Sequence, residues 1–464
     1  MKLTKIVLKD YNQFKDVEID LTYPKGHRKE GQPLDKVCII GQSGSGKTSL
    51  LRLIKWFISL QREIGKNTEL PLPENSNSVQ IDFRFFDLNY RVSNVDQEPF
   101  LDHKWFSGEN REAFFQKLKD YYQEIKPLLY NFPTEILIKD TPPVIGERST
   151  LDELERIKEK KAYLDKLELG HTIDFSADDE WQLQTWDYVL RNIFEHRAEE
   201  LYKKKEIADI ELQNIKKEEK SKLKKEKTEE YKRWAKQNPD PLKKLADECL
   251  DPLLLSLGLR TKIEIDLNTI LNLRFIQLQT AAGRDVPREF WSTGTRQLVK
   301  TVIPLYMLNP KNAVVLVDEP ELSLYPDMQK SIIDMYVKLA PESQFFFATH
   351  SPIIASSFEP WEIVELKFDE EQAYVSRDLH YEGENHVDNY KYFPEYLRWD
   401  SILERIFELE EEGGKKRQQA LEKLAEVEIR LRKLKKEKKL DSPEGKKLVE
   451  EFKNLGQKVD WDFE

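Results

Sequence analysis

The chain has 464 residues, of which 39% are hydrophobic and 34% are charged, and its formal net charge at pH 7 is −11. A chain of this length can bury a large core in two or three structural units. It holds no apolar run near the roughly 20 residues of a membrane helix, and its first residues lack the apolar stretch of a signal peptide. The only cysteines, Cys38 and Cys249, are far apart in sequence, which argues against disulfides and a structural zinc. We therefore expect a globular cytoplasmic protein. Its acidic net charge argues against a surface that coats DNA uniformly, although it permits a local basic patch.

The N-terminal region has the pattern of a sheet interrupted by one helix. Apolar residues alternate over 3–8 and again over 17–21, which predicts two short strands around a polar turn. The run 37–40 predicts a buried strand, and a glycine-rich loop and then apolar residues at helical spacing over 50–57 follow it. Segment 78–93 alternates again and predicts further sheet.

The glycine-rich loop fits the pattern G-x-x-x-x-G-K-[ST] of a phosphate-binding loop, and the strand before it and the helix after it supply the required context. Its backbone N–H groups would hold phosphate oxygens at the start of the helix. Lys47 would offset the charge of the β- and γ-phosphates of ATP, and the Thr48 hydroxyl would bind Mg²⁺. The predicted nucleotide-binding residues here are Gly41, Gln42, Ser43, Gly44, Ser45, Gly46, Lys47, Thr48 and Ser49.

A second acidic element follows a strongly apolar strand. Residues 313–317 are apolar and end at Asp318-Glu319-Pro320-Glu321. A buried strand that delivers Asp318 beside the phosphate loop gives Mg²⁺ its second protein ligand. Glu319, one residue further on, points in another direction and can act as general base towards an attacking water.

Four further motifs stand in a fixed order around these two elements. Residues 291–297, Trp-Ser-Thr-Gly-Thr-Arg-Gln, resemble the ABC signature motif in its SMC/RecF form, and 318 − 292 = 26 residues separate Ser292 from Asp318. Thr-His-Ser-Pro at 349–352 resembles the switch-histidine segment, with 350 − 318 = 32 residues between His350 and Asp318. Segment 322–327 takes the D-loop position, and 11–14 resembles the start of SMC and RecF proteins. Together they resemble an ABC-type ATPase of the SMC/RecF/OLD kind, an α/β P-loop fold with a mixed β-sheet.

The resemblance implies a site that two copies of the chain complete. Ser292 and Gly294 would contact the γ-phosphate held by the opposite subunit, and a helix start suits an anion because its N–H groups are free. His350 would sense the γ-phosphate in its own subunit. The sequence departs from the family pattern at Thr293, where transporters have glycine. It gives no clear Q-loop glutamine, and Gln97 is one candidate.

Two helical regions surround this lobe. Lys47 and Ser292 are 292 − 47 = 245 residues apart, so a large insertion separates the two halves of the site. It is charged and mostly helical, either a projecting hairpin as in SMC relatives or a solvated surface without a partner. Lysines over 216–227 are candidates for phosphate contact, but interleaved glutamates oppose this. The predicted units are 1–104 and 256–398 for the ATPase lobe, 105–255 for the helical insertion, and 399–464 for a C-terminal helical hairpin.

The C-terminal hairpin is predicted from an apolar seam at 420, 424, 427, 431 and 434, followed by Ser442-Pro443 as the cap and first turn of a second helix. It would pack on its own lobe or on another subunit. Glu382, Asp460 and Asp462 are reminiscent of the acids of TOPRIM nucleases, but no apolar strand precedes Glu382. We therefore expect no nuclease within the chain.

With no second catalytic set, the output of ATP binding and slow or regulated hydrolysis would be conformational. The motifs between residues 41 and 352 resemble ATPase subunits of bacterial anti-phage systems such as PARIS and Septu, including Septu-like retron ATPases. That resemblance implies a homo-oligomer that controls a separately encoded nuclease or toxin. The alternative is a DNA repair or chromosome-maintenance ATPase of the RecF/SMC type that acts directly on DNA. A transporter ATPase is disfavoured by the N-terminal strands and the long insertion.

Overall fold

The structure is a computed structural model, and it divides the chain into two compact units, Met1–Glu395 and Tyr396–Glu464. It describes residues 1–9, 11–60, 79–85, 88–93, 100–101, 129–134, 172–175, 179–214, 216–264, 276–369, 374–377, 381–382, 387–388, 394–405, 407 and 414–459. None of the helices in these ranges is long and apolar enough to cross a membrane.

The strands of the first unit form four sheets. They are β1 (Lys2–Leu8), β2 (Val17–Asp20), β3 (Lys36–Gly41), β4 (Val79–Phe85), β5 (Leu88–Ser93), β6 (Phe100–Leu101), β7 (Leu129–Phe132), β8 (Thr172–Asp174), β9 (Leu259–Thr261), β10 (Leu278–Thr280), β11 (Asp285–Val286), β12 (Val314–Asp318), β13 (Gln344–Ala348), β14 (Ile363–Asp369), β15 (Tyr374–Arg377), β16 (Tyr381–Glu382) and β17 (Val387–Asp388). The sheet orders are β15-β14-β3-β13-β12-β7-β8, β2-β1-β4-β5-β6, β11-β10-β9 and β16-β17.

The helices are distributed over both units. They are α1 (Lys47–Leu60), α2 (Asp179–Asp209), α3 (Lys217–Gln237), α4 (Pro241–Leu245), α5 (Asp251–Leu254), α6 (Thr293–Leu308), α7 (Pro326–Leu339), α8 (Pro352–Ala355), α9 (Trp399–Arg405), α10 (Lys415–Lys436) and α11 (Pro443–Lys458). One π-helical turn, Ala246–Leu250, joins α4 to α5.

The seven-stranded sheet positions the site. Its strands pair in parallel from β14 through β3, β13, β12 and β7 to β8, and only the edge strand β15 is antiparallel. Every residue of β12 and β13 is buried, as expected for the interior of a parallel sheet. Parallel neighbours end on the same edge, so the phosphate loop after β3, the acids after β12 and the switch segment after β13 meet there. The sequence prediction of an α/β fold with a mixed sheet is confirmed.

The five-stranded antiparallel sheet, β2-β1-β4-β5-β6, packs against the seven-stranded central sheet through a shared apolar core. Leu3, Ile6 and Leu8 of β1 are buried together with Leu50 and Phe57 of α1. Buried Gln344 of β13 accepts a hydrogen bond from the Leu3 backbone N–H at 2.6 Å and donates one to the Leu3 carbonyl at 2.9 Å. This side chain therefore ties the first strand of one sheet to a central strand of the other.

The prediction of a helical segment over 105–255 needs one correction. β7 and β8 lie within it, and both belong to the central sheet rather than to an insertion. All four residues of β7 are buried, and it pairs with β12. These strands are four and three residues long, too short for a period-2 pattern to stand out. β14 and β15 are further strands that the sequence did not indicate.

The helical part of the segment forms a hairpin of α2 and α3. No residue of α3 is buried, so an apolar seam does not hold the pair together. Instead, the Tyr231 hydroxyl donates to Glu200 at 2.9 Å and the Trp234 indole N–H donates to Glu199 at 3.2 Å. The rings of His196 and Trp234 lie 5.0 Å apart. Aromatic and polar contacts thus replace the leucines of a regular coiled coil.

The second unit contains a hairpin of α10 and α11. Leu424 and Val427 of α10 and Leu448 of α11 are buried in it. The Ser442 side chain caps α11 by accepting from the Gly445 backbone N–H at 3.1 Å, and Pro443 occupies the first turn. Asp460 and Asp462, the acids weighed as part of a nuclease, lie outside the described residues.

Candidate nucleotide site

The phosphate loop lies between β3 and α1. Lys47, the first residue of α1, is 6% exposed and donates to the backbone carbonyls of Gly41 and Gln42, at 2.9 Å each. Burial lowers the pKa of Lys47 to about 8, although the nearby charges of Asp318, Glu319 and Glu321 oppose this. A desolvated ammonium that spans its own loop is placed to exchange these carbonyls for phosphate oxygens.

The loop requires a glycine at position 46. Its φ is +88°, and a Cβ there would lie 2.7 Å from the Gln13 amide nitrogen and 2.8 Å from the Phe14 ring. Gln13 also donates to the Ser49 hydroxyl at 3.1 Å. The segment between β1 and β2 therefore packs directly against the phosphate loop. The Ser45 hydroxyl beside it is buried without a hydrogen-bond partner in the described part of the chain, as expected of a group that awaits a ligand.

The Thr48 hydroxyl donates to a carboxylate oxygen of Asp318 at 2.9 Å. These two oxygens, one from the start of α1 and one from the end of β12, fit the hard cation Mg²⁺, which prefers oxygen ligands. The described residues hold no group of three or more His, Cys, Asp or Glu side chains that could bind a metal by themselves. A Mg²⁺ ion here would therefore take its remaining ligands from phosphate oxygens and water, as is usual for this ion.

Glu319 follows Asp318 in a left-handed conformation with φ of +51°. Its backbone N–H donates to the Ala348 carbonyl at 2.8 Å, which fixes the turn against the end of β13. Such a backbone is uncommon outside glycine and concentrates at functional sites. Burial raises the pKa of Glu319, and the charge of Asp318 adds to this while Lys47 opposes it. The carboxylate is only half-buried, so it can reach water and has an increased affinity for protons.

His350 lies at the same edge of the sheet. Desolvation and the positive charge of Lys47 lower its pKa below the usual value of 6.5, and the charge of Asp318 acts against them. The imidazole is therefore neutral at pH 7 and can donate one hydrogen bond. Its backbone N–H donates to a carboxylate oxygen of Glu321 at 2.9 Å. Burial raises the pKa of Glu321.

The signature segment starts α6, and Ser292 is the cap of that helix. Ser292 is exposed, and in the described residues its hydroxyl bonds only to the N–H of Thr295, at 3.1 Å, and to the Thr295 hydroxyl, at 2.8 Å. Gly294 is buried, and a Cβ there would lie 2.3 Å from the Ser323 carbonyl. The D-loop thus packs against the signature helix within one chain, while the exposed Ser292 bonds only within its own helix start in the described residues.

The structure brings together Lys47, Thr48, Asp318, Glu319 and His350, and it does not bring Ser292 to them. Gln97, the candidate Q-loop residue, lies outside the described residues. Sequence reasoning missed the contacts that Gln13 makes with the phosphate loop and Glu321 makes with the switch segment. The signal for Glu321 was its place directly after Asp-Glu-Pro, where a third acid has no evident structural need.

The solved structures that a comparison with this chain matched include SMC heads. The SMC head domain from Thermotoga maritima is 12% identical with a TM-score of 0.34, and the match covers 82% of this chain and 98% of that chain. An SMC head bound to the C-terminal winged-helix domain of ScpA is 13% identical with a TM-score of 0.37, covering 82% and 98%. An SMC head with an extended coiled coil from Pyrococcus furiosus, bound to the C-terminal domain of ScpA, is 14% identical with a TM-score of 0.34, covering 81% and 96%.

One protein-family model covers most of the chain. The family model described as "AAA ATPase domain", AAA_15, matches residues 1–355. This span takes in both halves of the site, from the phosphate loop to the switch histidine. The chain therefore belongs to the AAA_15 family of ATPase domains.

Proposed function

We propose that this chain binds and hydrolyses Mg²⁺–ATP at composite sites formed between two copies of itself. One observation carries the proposal. The groups that would bind the phosphates, the metal and the water converge around the Thr48–Asp318 hydrogen bond of 2.9 Å. In the described residues, the Ser292 hydroxyl bonds to none of them and only to Thr295. One chain thus supplies the phosphate loop, the acids and the switch histidine. The contact from a signature serine is missing, and a second copy would supply it.

Each residue has a defined part in this reaction. Lys47 leaves the carbonyls of Gly41 and Gln42 and offsets phosphate charge. Thr48 and Asp318 would hold Mg²⁺, which when bound neutralises the charge that develops on the phosphate oxygens. Glu319 accepts the proton of the attacking water, and neutral His350 donates a hydrogen bond to the γ-phosphate. Because the start of a helix favours an anion, Ser292 at the start of α6 would complete the site from the second copy.

The surface around the signature helix supports docking of a second copy. Phe290, two residues before Ser292, is 74% exposed, and Tyr325 of the D-loop is 68% exposed. Aromatic residues are enriched in the cores of protein interfaces. Ser323 and Gly294 already bring these two segments together within one chain.

Ser292→Arg should leave ATP binding by the single chain intact and prevent ATP-dependent assembly, because the bulky side chain blocks the approach of the second copy. The measurements are ATP affinity and size-exclusion chromatography with and without Mg²⁺–ATP. Ser292→Asp controls for the loss of the helix cap. Aspartate still caps α6 but repels a phosphate, so this variant should also show no ATP-dependent assembly. A mixture of Ser292→Arg and Lys47→Ala chains should form one intact site per mixed dimer, from the phosphate loop of the first chain and the signature segment of the second. Normal hydrolysis by Ser292→Arg alone would reject the composite site.

We further propose that this ATP-driven engagement controls a separately encoded effector, a nuclease, in an anti-phage defence system. The support is the motif set from residue 41 to 352 and its resemblance to the ATPase subunits of such systems. One observation favours the alternative, direct action on DNA. Positions 430–439 carry seven basic residues and one acid, and all seven basic residues are exposed. Such a surface can contact phosphates.

One pair of measurements separates these functions. The chain is purified with the proteins of its neighbouring genes, and the binding of the purified chain to duplex DNA is measured across salt concentrations. The defence function predicts a stable complex with a nuclease and toxicity when the system is triggered. Direct action on DNA predicts binding that falls steeply with salt and weakens further in Lys435→Glu/Lys436→Glu. Tight, salt-sensitive DNA binding without a partner complex would overturn the effector proposal.

A further inference from the structure

The carboxylate of Glu321 makes a contact that the proposed reaction does not use. Its Oε1 accepts the backbone N–H of His350 at 2.9 Å, across 29 residues of sequence. Its Oε2 is buried and has no hydrogen-bond partner within the described residues. A buried carboxylate oxygen without a partner costs stability. A glutamate with this cost is hard to explain by packing. Its side chain bonds to the His350 backbone N–H and to the Thr349 side chain, and both belong to the segment proposed to sense the γ-phosphate.

The segment that carries His350 is held on both sides. Before it, the Thr349 backbone N–H donates to the Ile39 carbonyl of β3 at 3.1 Å. After it, the Ser351 hydroxyl donates to Gln329 of α7 at 2.7 Å and caps α8. Between these anchors, in the described part of the chain, the backbone N–H of His350 has Glu321 as its partner. This bond fixes the peptide plane from which the imidazole projects.

We propose that Glu321 is a positioning residue that orients His350 towards the γ-phosphate. The inference rests on the proposed role of His350 as the γ-phosphate sensor. When Glu321 holds the peptide, the imidazole stays beside Lys47 and Asp318, whose charges both act on it. Without this bond, the imidazole loses its fixed direction. The site then loses contact with the γ-phosphate while its contacts with the α- and β-phosphates remain.

The same loop connects this residue to the signature helix. The Leu324 N–H donates to the Glu321 carbonyl at 2.9 Å, and Gln329, which binds Ser351, also donates to the Leu324 carbonyl at 2.9 Å. The residue between them, Ser323, contacts Gly294. Glu321 therefore belongs to a chain of contacts between the switch segment and the start of α6.

The test compares the affinities of the purified full-length chain for Mg²⁺–ATP and Mg²⁺–ADP. Glu321→Ala should weaken ATP binding about 5- to 20-fold, the range expected for one hydrogen bond that orients a ligand, and leave ADP binding within about twofold. Glu321→Gln keeps the acceptor oxygen, so its ratio of ATP affinity to ADP affinity should equal that of the wild type. His350→Ala should reduce the ratio equally, and the double variant should be no worse than His350→Ala, because both changes remove one interaction.

Each result has a defined consequence. A wild-type ATP-to-ADP ratio in Glu321→Ala, or an equal loss of both nucleotides, overturns the positioning role. If His350→Ala keeps the wild-type ratio, His350 is not the sensor and the proposed function itself is wrong at this residue. If the ratio of ATP affinity to ADP affinity falls in His350→Ala but stays at the wild-type value in Glu321→Ala, only the inference about Glu321 fails. Should Glu321→Ala not fold, Glu321→Asp, whose shorter side chain withdraws the oxygen from the His350 N–H, carries the same expectation.

Discussion

Lys47→Ala should reduce the affinity for Mg²⁺–ATP by at least about 100-fold. A hydrogen bond to a charged group contributes about 1.5–3 kcal/mol, and each 1.4 kcal/mol is a factor of ten in affinity. The Lys47 ammonium is buried at the mouth of the phosphate loop and would make more than one such bond to the β- and γ-phosphates. The measurement is equilibrium binding of ATP, with circular dichroism to show that the variant is folded.

The control for this prediction is Lys338→Ala, which removes an exposed lysine from the last turn of α7 and should leave ATP binding unchanged. The carbonyls of Gly41 and Gln42 lose their donor in Lys47→Ala, so the thermal midpoint should also be compared between the two variants. ATP binding as tight as in the wild type would show that the loop between β3 and α1 does not hold the phosphates.

The parts of the fold that could be predicted from sequence are those encoded by local pattern. The phosphate loop is one example, because strand, glycines, lysine and helix follow one another within about 25 residues, and the structure arranges them in that order. Ser442 and Pro443 are another, because a cap and first turn are decided by adjacent residues. In both cases the chemistry of a few neighbours determines the backbone.

The parts that could not be predicted depend on distant partners. β7 and β8 become strands because β12 offers a buried parallel edge, and their own few residues carry little pattern. Glu321 gains a partner from 29 residues away, and only the fold shows that His350 is there. Gln13 likewise contacts a loop more than 30 residues further along the chain. The secondary-structure preferences of neighbouring residues carry no information about contacts between residues so far apart in sequence.

The distribution of fixed and free contacts in the site supports the two-copy arrangement. Glu319 is bound through its backbone to Ala348, and Ser323 is packed against Gly294, so the acidic turn and the D-loop are rigid within one chain. Ser292 bonds only within its own helix start in the described residues. An acidic turn and a D-loop held by contacts within the chain, next to an exposed Ser292, favour a preorganised surface that closes on a ligand without large rearrangement of the subunit.

Glu319→Gln should bind ATP with near wild-type affinity and hydrolyse it about 10²- to 10⁴-fold more slowly, the usual loss when one general base is removed. The amide keeps the size of the carboxylate and its capacity for hydrogen bonds, but it cannot take the proton of the attacking water. Asp318 and Thr48 are unchanged and would still hold Mg²⁺. ATP should therefore remain bound, and the ATP-engaged assembly should accumulate. The measurements are steady-state ATP turnover and size-exclusion chromatography with Mg²⁺–ATP.

The matched control is Glu321→Gln, two residues further on, which makes the same chemical change in a carboxylate that we do not place on the water. It should retain turnover within a few-fold of the wild type, so that a large loss in Glu319→Gln alone identifies the base. Wild-type turnover in Glu319→Gln would reject Glu319 in that role. Slow turnover without ATP-dependent assembly would mean that the two copies are joined permanently, because trapped ATP would then have no association left to drive. In the defence function, trapped ATP should also hold the partner nuclease in a single state, either permanently bound or permanently released.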